Sequence, residues 1–317
     1  MRKLLFAIII LAAINLTAQD KVTGDISPIF ALSPDNKTIA FSAGNGQSSF
    51  LFEYSFKDKS ITPLAGLGDD YFIRPSFSSN GKMLLYLSKT AAGKNIFLMD
   101  LNTGKAISIT KGDFYVTEAI FSKAGDKIIF CAAQFVGNYS PLGRKAPHDL
   151  DLFSINPDGT GLKKLTNFKA YSLNSISTDK SGDSVLCALN AGDREGIYLV
   201  PLKDTGTLRK IETVNNPRPE IGADFYETPN YSADGKTITF MAPYQLLLMD
   251  MATLKCSELW TTLAKDDMAM PMCSSFFNTG DKILFSTLAI KDRHYATDAS
   301  FYQLDIKTKG LTELKLK

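Results

Sequence analysis

One nine-residue phrase recurs through this chain, and it limits the possible fold more than any other feature. Its copies are SPDNKTIAF (Ser33 to Phe41), SSNGKMLLY (Ser78 to Tyr86), SKAGDKIIF (Ser122 to Phe130), SADGKTITF (Ser232 to Phe240) and FNTGDKILF (Phe277 to Phe285), with a degraded copy, DKSGDSVLC, from Asp179 to Cys187. Aligned on the turn residue, the anchors are Asn36, Gly81, Gly125, Gly182, Gly235 and Gly280, at spacings of 45, 44, 57, 53 and 45 residues. A repeat of this period marks an array of similar supersecondary units.

Each phrase reads as the end of one strand, a tight turn whose Asn or Gly accepts positive φ, and an alternating apolar second strand. A third strand, a second turn and a fourth strand follow. In the second unit these are Ile96 to Leu101, the turn Asn102-Thr103-Gly104, and Ala106 to Thr110. Four short strands per unit describe a propeller blade, and a thin blade has two apolar faces that only neighbours in a closed ring can bury. No stretch after the N-terminal region keeps apolar residues at helical spacing. The expected fold is therefore all-β: a six-bladed β-propeller with four antiparallel strands per blade. The first unit opens with its own inner strand near Ile26 to Leu32 and the sixth ends in its own outer strand, so little or no strand exchange is expected at the ring seam.

The long spacings mark insertions. Val136 to Asp149 falls between the second and third strands of unit three, Val214 to Glu227 between units four and five, and the smaller Ile290 to Ala299 between the second and third strands of unit six. In an up-and-down blade these connections emerge on one face, so all three are expected to crowd it. They carry aromatic and charged residues suited to recognition: Tyr139, Arg144, Lys145 and His148; Arg218, Glu220, Phe225, Tyr226 and Glu227; Arg293, His294 and Tyr295. Loops on a rigid scaffold are where binding concentrates. The entries to the inner strands open on the same face and place Arg74, Glu118, Asn174 and Glu227 near the mouth of the central channel.

The phrases SPDNKTIAF and SADGKTITF, and above all NPDGTGLKKLTN at Asn156 to Asn167, resemble the WD40-like propeller repeat of the TolB family, over nearly the whole chain after its first residues. The resemblance implies a scaffold role beside an outer-membrane or peptidoglycan-associated partner. The TolB family places an α/β domain before its propeller, and six blades leave no residues here for one. The same repeat occurs in the propellers of prolyl peptidases and polysaccharide lyases. The peptidase chemistry is missing, because the chain contains no G-x-S-x-G. The lyase sites depend on clustered histidines around a divalent metal, whereas this chain has two, His148 and His294, in units that face each other across a six-membered ring. Each is read as a polar loop residue. The aspartates Asp35, Asp126, Asp183, Asp234 and Asp281 belong to the repeat's turns and are structural. No catalytic residue, metal site or cofactor is expected.

The first residues, MRKLLFAIIILAAINLTAQ, combine a basic start at Arg2 and Lys3, an apolar run shorter than a bilayer span, and a plausible cleavage site at Thr17 to Gln19. Residues 1–18 are read as a signal peptide and residues 19–317 as a single propeller domain that is periplasmic or secreted. The first cysteine, Cys131, lies far from the expected mature start, so no lipid-anchor cysteine is expected and no membrane span after cleavage. A formal net charge of +2, with basic residues scattered, argues against nucleic acid as a partner. Four cysteines in an exported chain raise the question of disulfides. Cys187 stands where the phrase elsewhere closes on an aromatic ring, and Cys131 lies one position further along its own unit, on the other side of its sheet. Sheets pack about 10 Å apart, beyond the roughly 7 Å Cα limit for a bridge. Cys256 and Cys273 belong to an outer and an inner strand, so four free and mostly buried thiols are expected. The functional expectation is a non-enzymatic propeller that binds a protein or cell-envelope component through its insertion-bearing face. The alternative is a carbohydrate-active enzyme, or a glycan-binding module, acting at the channel mouth.

Overall fold

The computed structural model describes residues 22, 24–45, 49–68, 74–90, 93–112, 114–133, 135–138, 145–215, 227–262, 268–291 and 294–317. The expected signal peptide lies outside them. Blade 1 consists of β1 (Asp25–Leu32), β2 (Thr38–Gly44), β3 (Ser49–Ser55) and β4 (Ile61–Gly68); blade 2 of β5 (Ser76–Phe77), β6 (Met83–Thr90), β7 (Gly93–Asp100) and β8 (Ala106–Ser108). In blade 3, β9 (Tyr115–Phe121) and β10 (Ile128–Ala133) are followed by a separate two-stranded arm, β11 (Phe135–Asn138) and β12 (Lys145–His148), before β13 (Asp151–Ile155) and β14 (Lys163–Lys164) complete the sheet. Blade 4 comprises β15 (Ser172–Thr178), β16 (Ser184–Ala191), β17 (Arg194–Pro201) and β18 (Arg209–Lys210); blade 5, β19 (Glu227–Tyr231), β20 (Thr237–Ala242), β21 (Gln245–Asp250) and β22 (Cys256–Thr261); blade 6, β23 (Ala269–Phe276), β24 (Lys282–Lys291), β25 (His294–Asp305) and β26 (Leu311–Leu314). Every blade is a four-stranded antiparallel sheet built from its own unit, so the expected six-bladed propeller without strand exchange is what forms. Among the described residues there is no helix, and none is long and apolar enough to cross a membrane.

The repeated phrase makes the turn between inner strand and second strand. All six anchors, Asn36 and the five glycines, have positive φ. The leading serine organises the turn: in blade 1 the Ser33 hydroxyl donates to Asp35 at 2.8 Å and accepts the Thr38 N–H at 2.9 Å, and Ser78 and Ser232 do the same in blades 2 and 5. In the degraded copy the Asp179 carboxylate takes over, accepting the N–H groups of Gly182 and Ser184.

The aromatic that closes each phrase points at the preceding blade. Phe41, Tyr86, Phe130, Phe240 and Phe285 are all buried, and each belongs to the apolar layer shared with the blade before it. Several stack on a cross-strand neighbour, as Phe130 does on Phe153 at 5.4 Å and Tyr86 on Phe97 at 5.5 Å, pairings worth about 0.5–1.5 kcal/mol beyond their burial. The buried apolar side chains form six clusters, one at each blade–blade interface, so the core is distributed around the ring. Cys187 holds the aromatic position in blade 4 and, with Cys131 from β10, lies in the layer between blades 3 and 4. All four cysteines are free; Cys131, Cys187 and Cys256 are buried and Cys273 half-buried.

A second recurring device ties the third strand to the chain leaving the fourth. In blade 3 the fully buried Asp151 accepts the Thr166 hydroxyl at 2.8 Å and the Phe168 N–H at 2.5 Å, with Lys164 Nζ at 2.9 Å from its other oxygen. In blade 2 the neutral Asn95 does the same work, accepting the Thr110 hydroxyl at 3.0 Å and the Gly112 N–H at 2.7 Å. The Leu-Thr of NPDGTGLKKLTN is thus a structural clamp.

Among the described residues, the seam between blades 6 and 1 has no shared strand. Phe30 and Phe41 pack on Phe301, the Ser286 hydroxyl donates to the Pro28 carbonyl, and Asp298 accepts the Ile26 N–H at 2.8 Å while pairing with Lys317 Nζ at 2.7 Å.

Candidate functional site at the channel mouth

Inner strands run away from the face on which the second-to-third-strand turns lie. On that face an open cavity of about 810 Å³ spreads over blades 5, 6 and 1 and reaches the central channel. Its walls come from strand ends: Met241 and Pro243 at the β20–β21 turn, Met270, Pro271 and Met272 at the start of β23, and Leu288 in β24. Asp25, Arg74, Asn174 and Glu227 also line it, each at or near the start of an inner strand. A second cavity of about 310 Å³, lined by residues from the inner strands of all six blades or from the entry to them, is the channel itself. Arg74 lines both.

Of the residues singled out from the sequence, Arg74, Glu118, Asn174 and Glu227 are brought together around this opening. Arg74 and Glu118 meet directly: the guanidinium lies 3.6 Å from Glu118 Oε1, while Glu118 Oε2 accepts the Ser175 N–H at 2.5 Å. That carboxylate therefore links blades 2, 3 and 4. The Ser175 N–H can aim inward because β15 bulges there, with a register shift between Asn174 and Ser177 and a φ of 56° at Ser175. Inner strands of blades 1, 3, 5 and 6 carry irregularities at a comparable level, where extended pairing gives way to the channel. Glu118, expected near the channel mouth, is only 6% exposed: it lines the channel itself, level with the buried Cys131 across its strand pair and covered by the Ser175 N–H of the next blade. Burial raises its carboxyl above the usual range, opposed by the Arg74 charge and by N–H groups of Ser175 and Ile176. Asn174 is held by its neighbours, donating to the Ser172 hydroxyl and accepting from that of Ser175.

The insertions differ from the simple picture of three loops on one face. In unit three the insertion is the β11–β12 arm, and His148, read as a polar loop residue, is a buried strand residue whose Nε2 lies 2.9 Å from the Gly137 carbonyl oxygen. In unit six the expected loop is a strand extension, since β24 and β25 pair as far out as Lys291 and His294; Tyr295 also lies in β25. Before unit five, Val214 and Asn215 sit at the far end of blade 5: the Val214 N–H donates to the Leu254 carbonyl and Asn215 bonds the backbone of Cys256. Glu227, the next described residue, lies beside the cavity. Tyr139, Arg144, Arg218, Glu220, Phe225, Tyr226 and Arg293 lie outside the described residues.

Sequence reasoning missed the methionine and proline walls. The signal was present in FMAP at Phe240 to Pro243 and AMPM at Ala269 to Met272, apolar runs that continue past the point where a strand should turn polar at a loop face. Chemically the site offers a charged fork and carboxylates against an adaptable apolar wall. Among the described residues no group of three or more His, Cys, Asp or Glu side chains is placed to hold a metal ion. The buried thiols are poor nucleophiles, burial pushing Cys187 up to about 12 and Cys256 to about 11.

No family model and no curated protein matches the chain. Solved structures do. TolB from Acinetobacter baumannii aligns with a TM-score of 0.64 at 16% identity, covering 93% of this chain and 64% of that one, so this chain spans just under two thirds of its length. An oligogalacturonate lyase in complex with manganese aligns with a TM-score of 0.55 at 14% identity, over 89% of this chain and 77% of that one. XC5397 from Xanthomonas campestris, a gluconolactonase, gives a TM-score of 0.58 at 13% identity, over 84% of each. At these identities the likeness is one of fold, shared by a TolB protein and by enzymes alike.

Proposed function

We propose that this chain is an exported, non-enzymatic propeller that binds a protein or cell-envelope component through its insertion-bearing face. The observation that carries the reading is the convergence there of an 810 Å³ apolar-walled cavity with Arg74, Asn174 and Glu227. Exposed apolar side chains lie elsewhere on that face, on blades 3 and 4: Tyr171 is 61% exposed at the entry to β15, and Val136 41% on the arm. Apolar surface of this kind, rimmed by polar groups, is typical of interaction sites. The TolB likeness supports a scaffold, and the N-terminal sequence supports export to the periplasm or beyond.

The test is partner capture on the immobilised protein from envelope extract, comparing wild type with a double variant. That variant replaces residues 138–145 by a two-residue turn and carries Tyr171→Asp. Specific capture by wild type that disappears in the variant supports the reading; identical capture by both refutes it. Edman sequencing of the exported protein, expected to start near residue 19, tests the signal peptide.

A second reading, an enzyme acting on a small carbohydrate in the channel, has one observation in its favour. Glu118 is a buried carboxyl raised by its surroundings beside a cation, the arrangement from which acid–base catalysis is built. Turnover of uronate oligosaccharides or sugar lactones that is abolished by Glu118→Gln would replace the binding reading.

A further inference from the structure

We infer that the channel-mouth cavity is a receptor for the free C-terminal carboxylate of a peptide whose last residues are apolar, with Arg74 as the counter-charge. This rests on the reading of the face as a protein-binding surface and specifies what part of the partner enters it. Arginine presents five N–H donors in a planar fork matched to a carboxylate. Among the described residues, the charge contact of Arg74 is with Glu118 Oε1 at 3.6 Å, longer than a hydrogen bond, and Glu118 Oε2 is already occupied by the Ser175 N–H. The fork is held in place by that buried carboxylate while, among the described residues, its donors have no hydrogen-bond partner, and its side chain is 28% exposed where channel and cavity join.

The walls say what accompanies the anion. Met241, Met270 and Met272, with Pro243, Pro271 and Leu288, provide an apolar lining in which unbranched methionines repack around different side chains. The two remaining carboxylates disfavour ligands in proportion to their negative charge, polyanions most of all. Asp25 and Glu227 at the rim repel phosphate-rich or polyuronate chains and accept hydrogen bonds, which the backbone N–H groups of a peptide supply. A fatty acid brings an anion and an apolar body but no donors. One carboxylate at the tip, apolar side chains behind it and N–H donors further out describe a peptide C-terminus.

The experiment is a fluorescence-anisotropy array of labelled hexapeptides whose last three positions vary over apolar residues, each made as free acid and as C-terminal amide. A charge-assisted hydrogen bond to the fork corresponds to roughly a tenfold to hundredfold preference for acid over amide among the best binders. In Arg74→Gln that ratio should collapse to about one. Should Arg74→Gln fold poorly, the acid-to-amide ratio on wild type decides alone. Equal binding of acids and amides to wild type overturns the inference, as does binding of sodium decanoate when every peptide fails. If envelope capture is lost with the altered arm and Tyr171→Asp but acids and amides bind alike, the face reading stands and this inference falls. If capture is unaffected by those changes while acids are preferred, the insertions and Tyr171 take no part in recognition and binding is confined to the pocket.

Discussion

The two clamps that differ only in charge, Asp151 in blade 3 and Asn95 in blade 2, set up a substitution with an internal control. Asp151→Ala removes the acceptor for two buried donors, the Thr166 hydroxyl and the Phe168 N–H. Each buried donor left unpaired costs about 1–3 kcal/mol, so the change should cost about 3 kcal/mol in all. The Lys164 pair adds little, because its ammonium is 35% exposed and such pairs contribute about 0–1 kcal/mol. Asp151→Asn keeps a carbonyl oxygen where Asn95 has one, and loses only that pair, at about 1 kcal/mol or less. At roughly 2 °C per kcal/mol for a domain of this size, thermal unfolding followed by circular dichroism should fall by about 6 °C for Ala and about 2 °C for Asn. If Asn lowers the midpoint as far as Ala does, the charge itself holds blade 3 together, and the equivalence of the two clamps is wrong.

Three further outcomes follow from the geometry. Phe130→Ala empties a fully buried site stacked on Phe153 and should cost about 3–5 kcal/mol in urea denaturation; a cost below 1 kcal/mol would mean the interface between blades 2 and 3 is not close-packed. Gly182→Ala puts a Cβ 2.6 Å from Lys123 Cβ at a φ of +81° and should cost about 2 kcal/mol, whereas Asn36→Gly, at an anchor already tolerant of a side chain, should cost under about 1 kcal/mol. For Glu118 the folded protein holds the proton more tightly than the unfolded chain, so its contribution is fully present below the ordinary carboxylate pKa and is lost as pH rises through the raised folded value. The Tm difference between wild type and Glu118→Gln should therefore shift against wild type as pH rises through that window. The turn aspartates Asp35 and Asp234, whose carboxyls are held low by neighbouring hydrogen bonds, act in the reverse sense and cancel in the difference. A flat difference curve would show that Glu118 is not perturbed.

The architecture was legible because the device that builds it is local. A serine, a turn residue and an alternating strand lie within nine positions, and each copy forms its turn through its own hydrogen bonds, so blade count and strand order follow from reading along the chain. The site was legible in part. The placement of Arg74, Asn174 and Glu227 beside the channel was locatable because they stand seven or eight residues before the turn anchors Gly81, Gly182 and Gly235. The burial of Glu118 was not, since it depends on a bulge in the next blade that turns the Ser175 N–H toward it. The path of Val214 and Asn215 was equally hidden, because the bonds that draw them to the far end of blade 5 come from Leu254 and Cys256, some forty residues onward. The apolar walls escaped notice because three separate strand ends contribute them, so that FMAP and AMPM each read as an ordinary strand end until the fold brings them together.

One consequence follows from Asp298, which holds the backbone of Ile26 with one oxygen and Lys317 with the other. The first strand and the last residue meet at this side chain, and among the described residues no ladder crosses between them. The circle is thus latched, and the position of the latch is arbitrary with respect to the other five joints. A circular permutant that joins these ends by a short linker and opens at an exposed turn such as Lys57 to Ser60 should keep the same ring. Its new termini would emerge on the side away from the cavity, leaving the recognition surface clear for a label or an immobilising tag.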